Sequence, residues 1–165
     1  MLKKLILATF FFLSASCAVK YTPPTSGETA TLVLPLTKSS QTFFGGVATS
    51  GVAFAVKDND GCGQLSQELM PEGEEVTRIE VTIPANKDIF VQFSTYRGTM
   101  NCNVLGWFPV LPNRKYTILK IGSASRCNIG VTQELPDVGP QLVALQKARY
   151  TGLTGVKVCE VKNTL

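Results

Sequence analysis

Histidine is missing: none of the 165 residues is one. Without an imidazole, Ser-His-Asp and Cys-His nucleophilic catalysis and any His-ligated metal are excluded. Charge is scarce as well, at 17% of residues. The basic residues are scattered, and no run exceeds a pair such as Arg114-Lys115. Nucleic-acid binding needs a concentrated basic patch, so no nucleic-acid partner is expected. No CxxC pair occurs, and the cysteine spacing matches no structural zinc pattern. The one long apolar run is Leu5–Leu13, too short to cross about 30 Å of hydrocarbon as a helix. Internal repeats and low-complexity segments are absent.

Other constellations are weak. Lys120 lies near Ser123 and Ser125, but such proximity is commonplace on a strand. Glu72, Glu74 and Glu75 sit beside Pro71 and Gly73, so a solvated loop is expected rather than a glycosidase carboxylate pair. Asp58-Asn59-Asp60-Gly61 begins like a calcium loop, yet Cys62 and Leu69 stand at its fifth and twelfth places, where oxygen ligands belong. It reads as a turn. No enzyme activity, cofactor or metal is expected.

What is present starts at the N-terminus. Lys3 and Lys4 precede the apolar run, and the small residues Ser14, Ala15 and Ser16 follow it. That is the three-part layout of a secretory signal peptide over residues 1–16. The segment Leu13-Ser14-Ala15-Ser16-Cys17 resembles the lipobox of bacterial lipoproteins, in which the cysteine carries lipid. It departs from that pattern at Ser14, where an apolar residue is usual. Ser14 and Ser16 also suit ordinary signal peptidase, which leaves a soluble periplasmic protein as the alternative. By resemblance to enterobacterial sorting, Ala18 after the cysteine implies the periplasmic face of the outer membrane.

Thiol counting bears on this choice. The five cysteines are Cys17, Cys62, Cys102, Cys127 and Cys159. Exported chains tend to pair their thiols, and acylation of Cys17 leaves an even four. Those four allow three pairings. A hairpin between Cys102 and Cys127 favours that pair, which leaves Cys62 with Cys159.

Past the signal peptide, 149 residues remain, 14 of them basic and 12 acidic. That is one ordinary domain. Residues 18–28, AVKYTPPTSGE, read as a linker behind the anchor at Cys17, spanning roughly 30–35 Å when extended. From residue 29 to 165 strand signals dominate. Ile79, Val81 and Ile83 alternate with Arg78, Glu80 and Thr82, one face for a core and one for water. Strands are also expected near 31–34, 46–56, 89–93, 103–108, 116–121, 127–132 and 155–161. Short strands at this spacing argue for a mainly β, antiparallel β-sandwich. Residues 140–150, PQLVALQKARY, place Leu142 and Leu145 on one helical face, with Pro140 to start and Gly152 to stop a short C-terminal helix.

The residues Ile83-Pro84-Ala85-Asn86-Lys87, Cys102, Phe108-Pro109, Tyr116 and Cys127-Asn128-Ile129 resemble those of small bacterial lipoproteins. The resemblance spans about residues 29–132 and implies an immunoglobulin-like or transthyretin-like sandwich. It fits a non-enzymatic, lipid-anchored envelope protein with a protein partner in an envelope assembly. A periplasmic glycan- or small-ligand-binding module is the alternative. Trp107 is the lone tryptophan. On alternation, one of Trp107 and Phe108 faces the core, and Trp107 is the expected one.

Overall fold

The structure, a computed structural model, describes residues 20–35, 40–41, 47–67, 78–97, 100–121, 128–151 and 157–161. The signal segment, Cys17, Cys127, the 72–75 carboxylates and Ser123 and Ser125 lie outside these residues. The described residues form strands and no helix. In chain order the strands begin with β1 (Thr29–Pro35), β2 (Ser40–Gln41), β3 (Val47–Val56), β4 (Cys62–Gln64) and β5 (Ser66–Gln67). Then come β6 (Arg78–Pro84), β7 (Asp88–Arg97), β8 (Met100–Pro109) and β9 (Lys115–Ile121). The last are β10 (Asn128–Leu135), β11 (Gly139–Val143), β12 (Gln146–Thr151) and β13 (Lys157–Glu160).

They make two sheets. One has five strands in the order β11-β10-β9-β1-β6. The other has eight, with β2-β3-β7-β8-β12-β13-β4 in line and β5 on β3. All pairings are antiparallel except β1 with β9, which is parallel. The expectation of a mainly β domain holds, with that one parallel ladder added.

The main core lies between the sheets. Leu32, Leu34, Val81, Ile83, Tyr116, Ile118 and Val131 come from the five-stranded sheet. Val52, Phe54, Ile89, Val91, Phe93 and Phe108 come from the larger one. The alternation read in β6 holds: Val81 and Ile83 are buried, while Arg78, Glu80 and Thr82 are exposed. Two of the turns between strands are built on asparagine. Asn86 and Asn113 adopt left-handed φ of 57° and 55°, which Asn tolerates better than most side chains.

A second core sits on the opposite face of β3 and β7. Ala55, Leu65, Phe90 and Val158 form it, with Ala53, Leu105, Trp107 and Ala148 packed against them. The eight-stranded sheet curls to enclose this cluster. β4 returns to β3 so closely that a Cβ on Gly63 would stand 2.7 Å from the Val56 carbonyl oxygen and 3.2 Å from the Phe90 ring. Strands β3 and β7 are therefore buried on both faces. This explains the unbroken apolar runs Val52–Val56 and Ile89–Val91, which do not alternate in sequence.

The helix expected over 140–150 is corrected. Those residues form β11, paired with β10 from Val131↔Val143 to Leu135↔Gly139, and β12, paired with β8 and β13. Leu142, which the helical reading buries, is 74% exposed. Val143 and Leu145 pack on the main core, and Ala148 on the second cluster. Ladder hydrogen bonds to existing strands outweigh a weak helical preference of only three turns.

Within the segment 18–28, read as a linker, Tyr21 and Glu28 are both docked on the domain. The Tyr21 hydroxyl donates to the Thr82 carbonyl at 3.0 Å, and its ring meets Phe54 edge-on at 4.7 Å. The Glu28 carbonyl accepts from the Ala85 N–H at 2.9 Å.

Gly63→Ala is expected to destabilise the domain by about 1–3 kcal/mol in urea unfolding, because the added methyl meets backbone that cannot yield. An unchanged urea midpoint would contradict the closure of β4 on β3.

Candidate functional site

The most concentrated polar constellation lies at one end of the curled sheet, over the second core. It begins with Lys57, the first residue after β3. Its backbone N–H donates to the Asp88 carbonyl at 2.9 Å, which continues the β3–β7 ladder by one step. On the parity of the strands, Lys57 then shares the face of Ala55 and Phe90. Its Nζ lies 2.7 Å from Asp88 Oδ2 and 2.7 Å from Glu160 Oε2. The same ammonium sits 4.3 Å from the centre of the Trp107 ring.

Each partner is placed by the local chain. Asp88 opens β7, opposite Pro109. Trp107 stands opposite Phe90, and Phe108 opposite Ile89, on alternate faces of β8. Glu160 closes β13, and its N–H donates to the Gly61 carbonyl at 3.0 Å. Gly61 has a φ of +79°, and a Cβ there would lie 2.8 Å from Glu160 Oε1. Only glycine meets both demands without strain. The turn expected at Asp58–Gly61 is present: the Gly61 N–H donates to the Asp58 carbonyl, and Asp60 Oδ1 accepts from the Cys62 N–H at 3.1 Å. It leads directly into a disulfide.

That disulfide joins Cys62 to Cys159, as expected from the sequence. The two residues are directly opposed in the β4–β13 ladder. Cys102 is also disulfide-bonded. The Cys127 half of the expected Cys102–Cys127 pair lies outside the described residues.

The electrostatics decide what this cluster can do. The Lys57 side chain is 17% exposed. Burial by itself pushes its pKa down, but hydrogen bonds and attraction from Asp88 and Glu160 outweigh this, so it stands above the ordinary lysine value. A lysine nucleophile needs a lowered pKa and a free lone pair. Lys57 has neither. Its chemistry is that of a fixed cation joining β3, β7 and β13. The ammonium also covers Trp107, so this ring is not an open platform for stacking.

The expectation about the aromatic pair is corrected. Phe108 is the fully buried residue, at 0% exposure in the main core. Trp107 faces the other way, half-buried against the second cluster. Alternation within β8 shows that Trp107 and Phe108 face opposite ways but not which face is the deeper interior. The only sign of a second core is in other strands, the unbroken apolar runs of β3 and β7. Lys57, Asp88 and Glu160 carry no signal in the sequence, because they lie far apart in the chain and belong to no motif.

Among the described residues, no group of three or more Cys, Asp and Glu is placed to hold a metal. No helix among them is long and apolar enough to cross a membrane. Comparison with protein-family models, with curated proteins and with solved structures returned no match.

Two outcomes follow from this geometry. The folded pKa of Lys57 is raised, so its contribution to stability is complete below the ordinary lysine range. It is lost as pH climbs through the raised value. Urea midpoints should therefore fall on that alkaline limb, and fall less in Lys57→Met, which has no charge to lose. Acrylamide should quench Trp107 weakly in the native protein and more strongly in Lys57→Ala; equal quenching would place the ammonium elsewhere.

Proposed function

We propose that this protein is a non-enzymatic, lipid-anchored cell-envelope protein whose β domain serves as an interaction module in an envelope assembly. Its place is the periplasmic face of the outer membrane, held there by lipid on Cys17. The single observation that carries the reading is the Cys62–Cys159 disulfide behind a signal-like N-terminus. Persistent disulfides belong to oxidising compartments. A loop of 97 residues closed in this way is worth on the order of 4 kcal/mol through the unfolded chain. Cys102 is bonded as well, which fits the same oxidising compartment.

The finer fold reading is an immunoglobulin-like sandwich. Tyr116 supports it. The residue is fully buried near the start of β9, and its hydroxyl accepts the Leu111 N–H at 2.9 Å. This resembles the tyrosine corner of such sandwiches, in which the hydroxyl reaches back to backbone a few residues upstream. A glycan-binding module would need an exposed aromatic ring on which a sugar can stack. With Trp107 under Lys57, it has lost its best candidate.

Palmitate labelling in a bacterial host tests the anchor. Label is expected on the native protein and none on Cys17→Ser. A labelled Cys17→Ser protein, or an unlabelled native one, would remove it. Crosslinking and pull-down of the native protein is expected to return a stoichiometric envelope protein. A thermal shift with glycan, and no protein partner, would favour the binding module instead.

A further inference from the structure

The anchor proposed above leaves open how the domain stands at the membrane, and the chain just after Cys17 bears directly on this. A free linker over residues 18–28 would let the domain rotate some 30–35 Å from the lipid. The structure removes most of that length. Tyr21 is docked where the five-stranded sheet ends, its hydroxyl on the Thr82 carbonyl of edge strand β6 and its ring on Phe54 of β3. It bridges the two sheets and packs on the main core. Downstream, the Glu28 carbonyl accepts from the Ala85 N–H, and Asn86 Nδ2 donates to the Glu28 carboxylate at 2.7 Å. Residues 21–28 are thus fastened at both ends along one side of the sandwich.

Three residues, and so four Cα–Cα steps, separate Cys17 from Tyr21. Fully extended, they span at most about 14 Å. A domain of this size has a radius of gyration of roughly 15 Å. The leash is therefore no longer than the body it holds, and it leaves from one fixed point. A body on so short a leash cannot turn a different side to the lipid.

We infer that Tyr21 is a positioning residue that holds the β6 edge of the sandwich against the bilayer, making that edge a membrane-facing surface. The partner of this surface is a lipid headgroup layer. Lys20 is exposed beside Tyr21, at the point nearest the lipid, and its charge suits anionic headgroups. Orientation then leaves the far edge, where β11 carries exposed Leu142, turned toward the periplasm.

The inference rests on the Cys17 anchor, and the test separates the two. Full-length acylated protein is placed on a supported phosphatidylethanolamine–phosphatidylglycerol bilayer, and neutron reflectometry measures the water gap between lipid and protein. The native gap is expected below about 14 Å. In Tyr21→Ser the leash lengthens to Glu28, and the gap should widen toward roughly 30–35 Å. A six-residue Gly-Ser insertion after Val19 leaves the packing of Tyr21 intact and should move the layer outward by about 10–15 Å. This second variant guards against a Tyr21→Ser protein that loses more than the strap. Palmitate-labelled protein whose layer is equally distant in all three would overturn the strap and leave the anchor standing. Unlabelled protein that washes off the bilayer overturns both.

Discussion

The double burial of the β3–β7 ribbon is the constraint on which the rest of this structure depends. One face of the ribbon carries Phe54, Ile89, Val91 and Phe93 into the sandwich. The other carries Ala55 and Phe90 into the curled half of the larger sheet. A strand pair with two apolar faces cannot be left half-covered, because each exposed large side chain forgoes about 1.5–3 kcal/mol of burial. The five-stranded sheet covers one face. The C-terminal strands β12 and β13, with β4, must cover the other. Strands β12 and β13 are thereby drawn into pairing, whatever their local preference.

Closure of that second layer brings charge to its end. Lys57, Asp88 and Glu160 meet where β3, β7 and β13 converge. Partly burying an ammonium is costly unless its donors are matched, and two carboxylates and the Trp107 ring supply the match. The arrangement has a further consequence for chemistry. A lysine held as a cation by two anions is removed from the list of nucleophiles. The Cys62–Cys159 disulfide ties the same corner covalently. Electrostatic and covalent links thus converge on two short strands, β4 and β13, of three and four residues.

The N-terminal strap belongs to the same logic. Tyr21 closes the side of the sandwich at β6, where the edge of a sheet leaves core side chains open to water. A residue that seals a core edge is also one whose position is fixed. For a domain proposed to hang from Cys17, fixing Tyr21 converts a packing detail into a statement about distance and orientation at the membrane.

Sequence alone determined the strand-rich character, because period-two alternation in β6 and the turn residues around it act locally. It also determined the absence of imidazole chemistry, which is a matter of composition. The pairing of Cys62 with Cys159 was legible too, since the hairpin preference for Cys102 with Cys127 left one choice. Tertiary structure decided the rest. Residues 140–150 carry a passable helical stripe, and only the presence of β10 and β8 as ladder partners makes them strands. Trp107 and Phe108 alternate faces as a strand requires, but which face is the deeper interior depends on a second layer that nothing within β8 announces. The Lys57 cluster joins residues 31 and 103 positions apart. Nothing in the chain marks such groups as partners until folding brings them within 3 Å of one another, and their charges then acquire meaning from burial rather than from sequence.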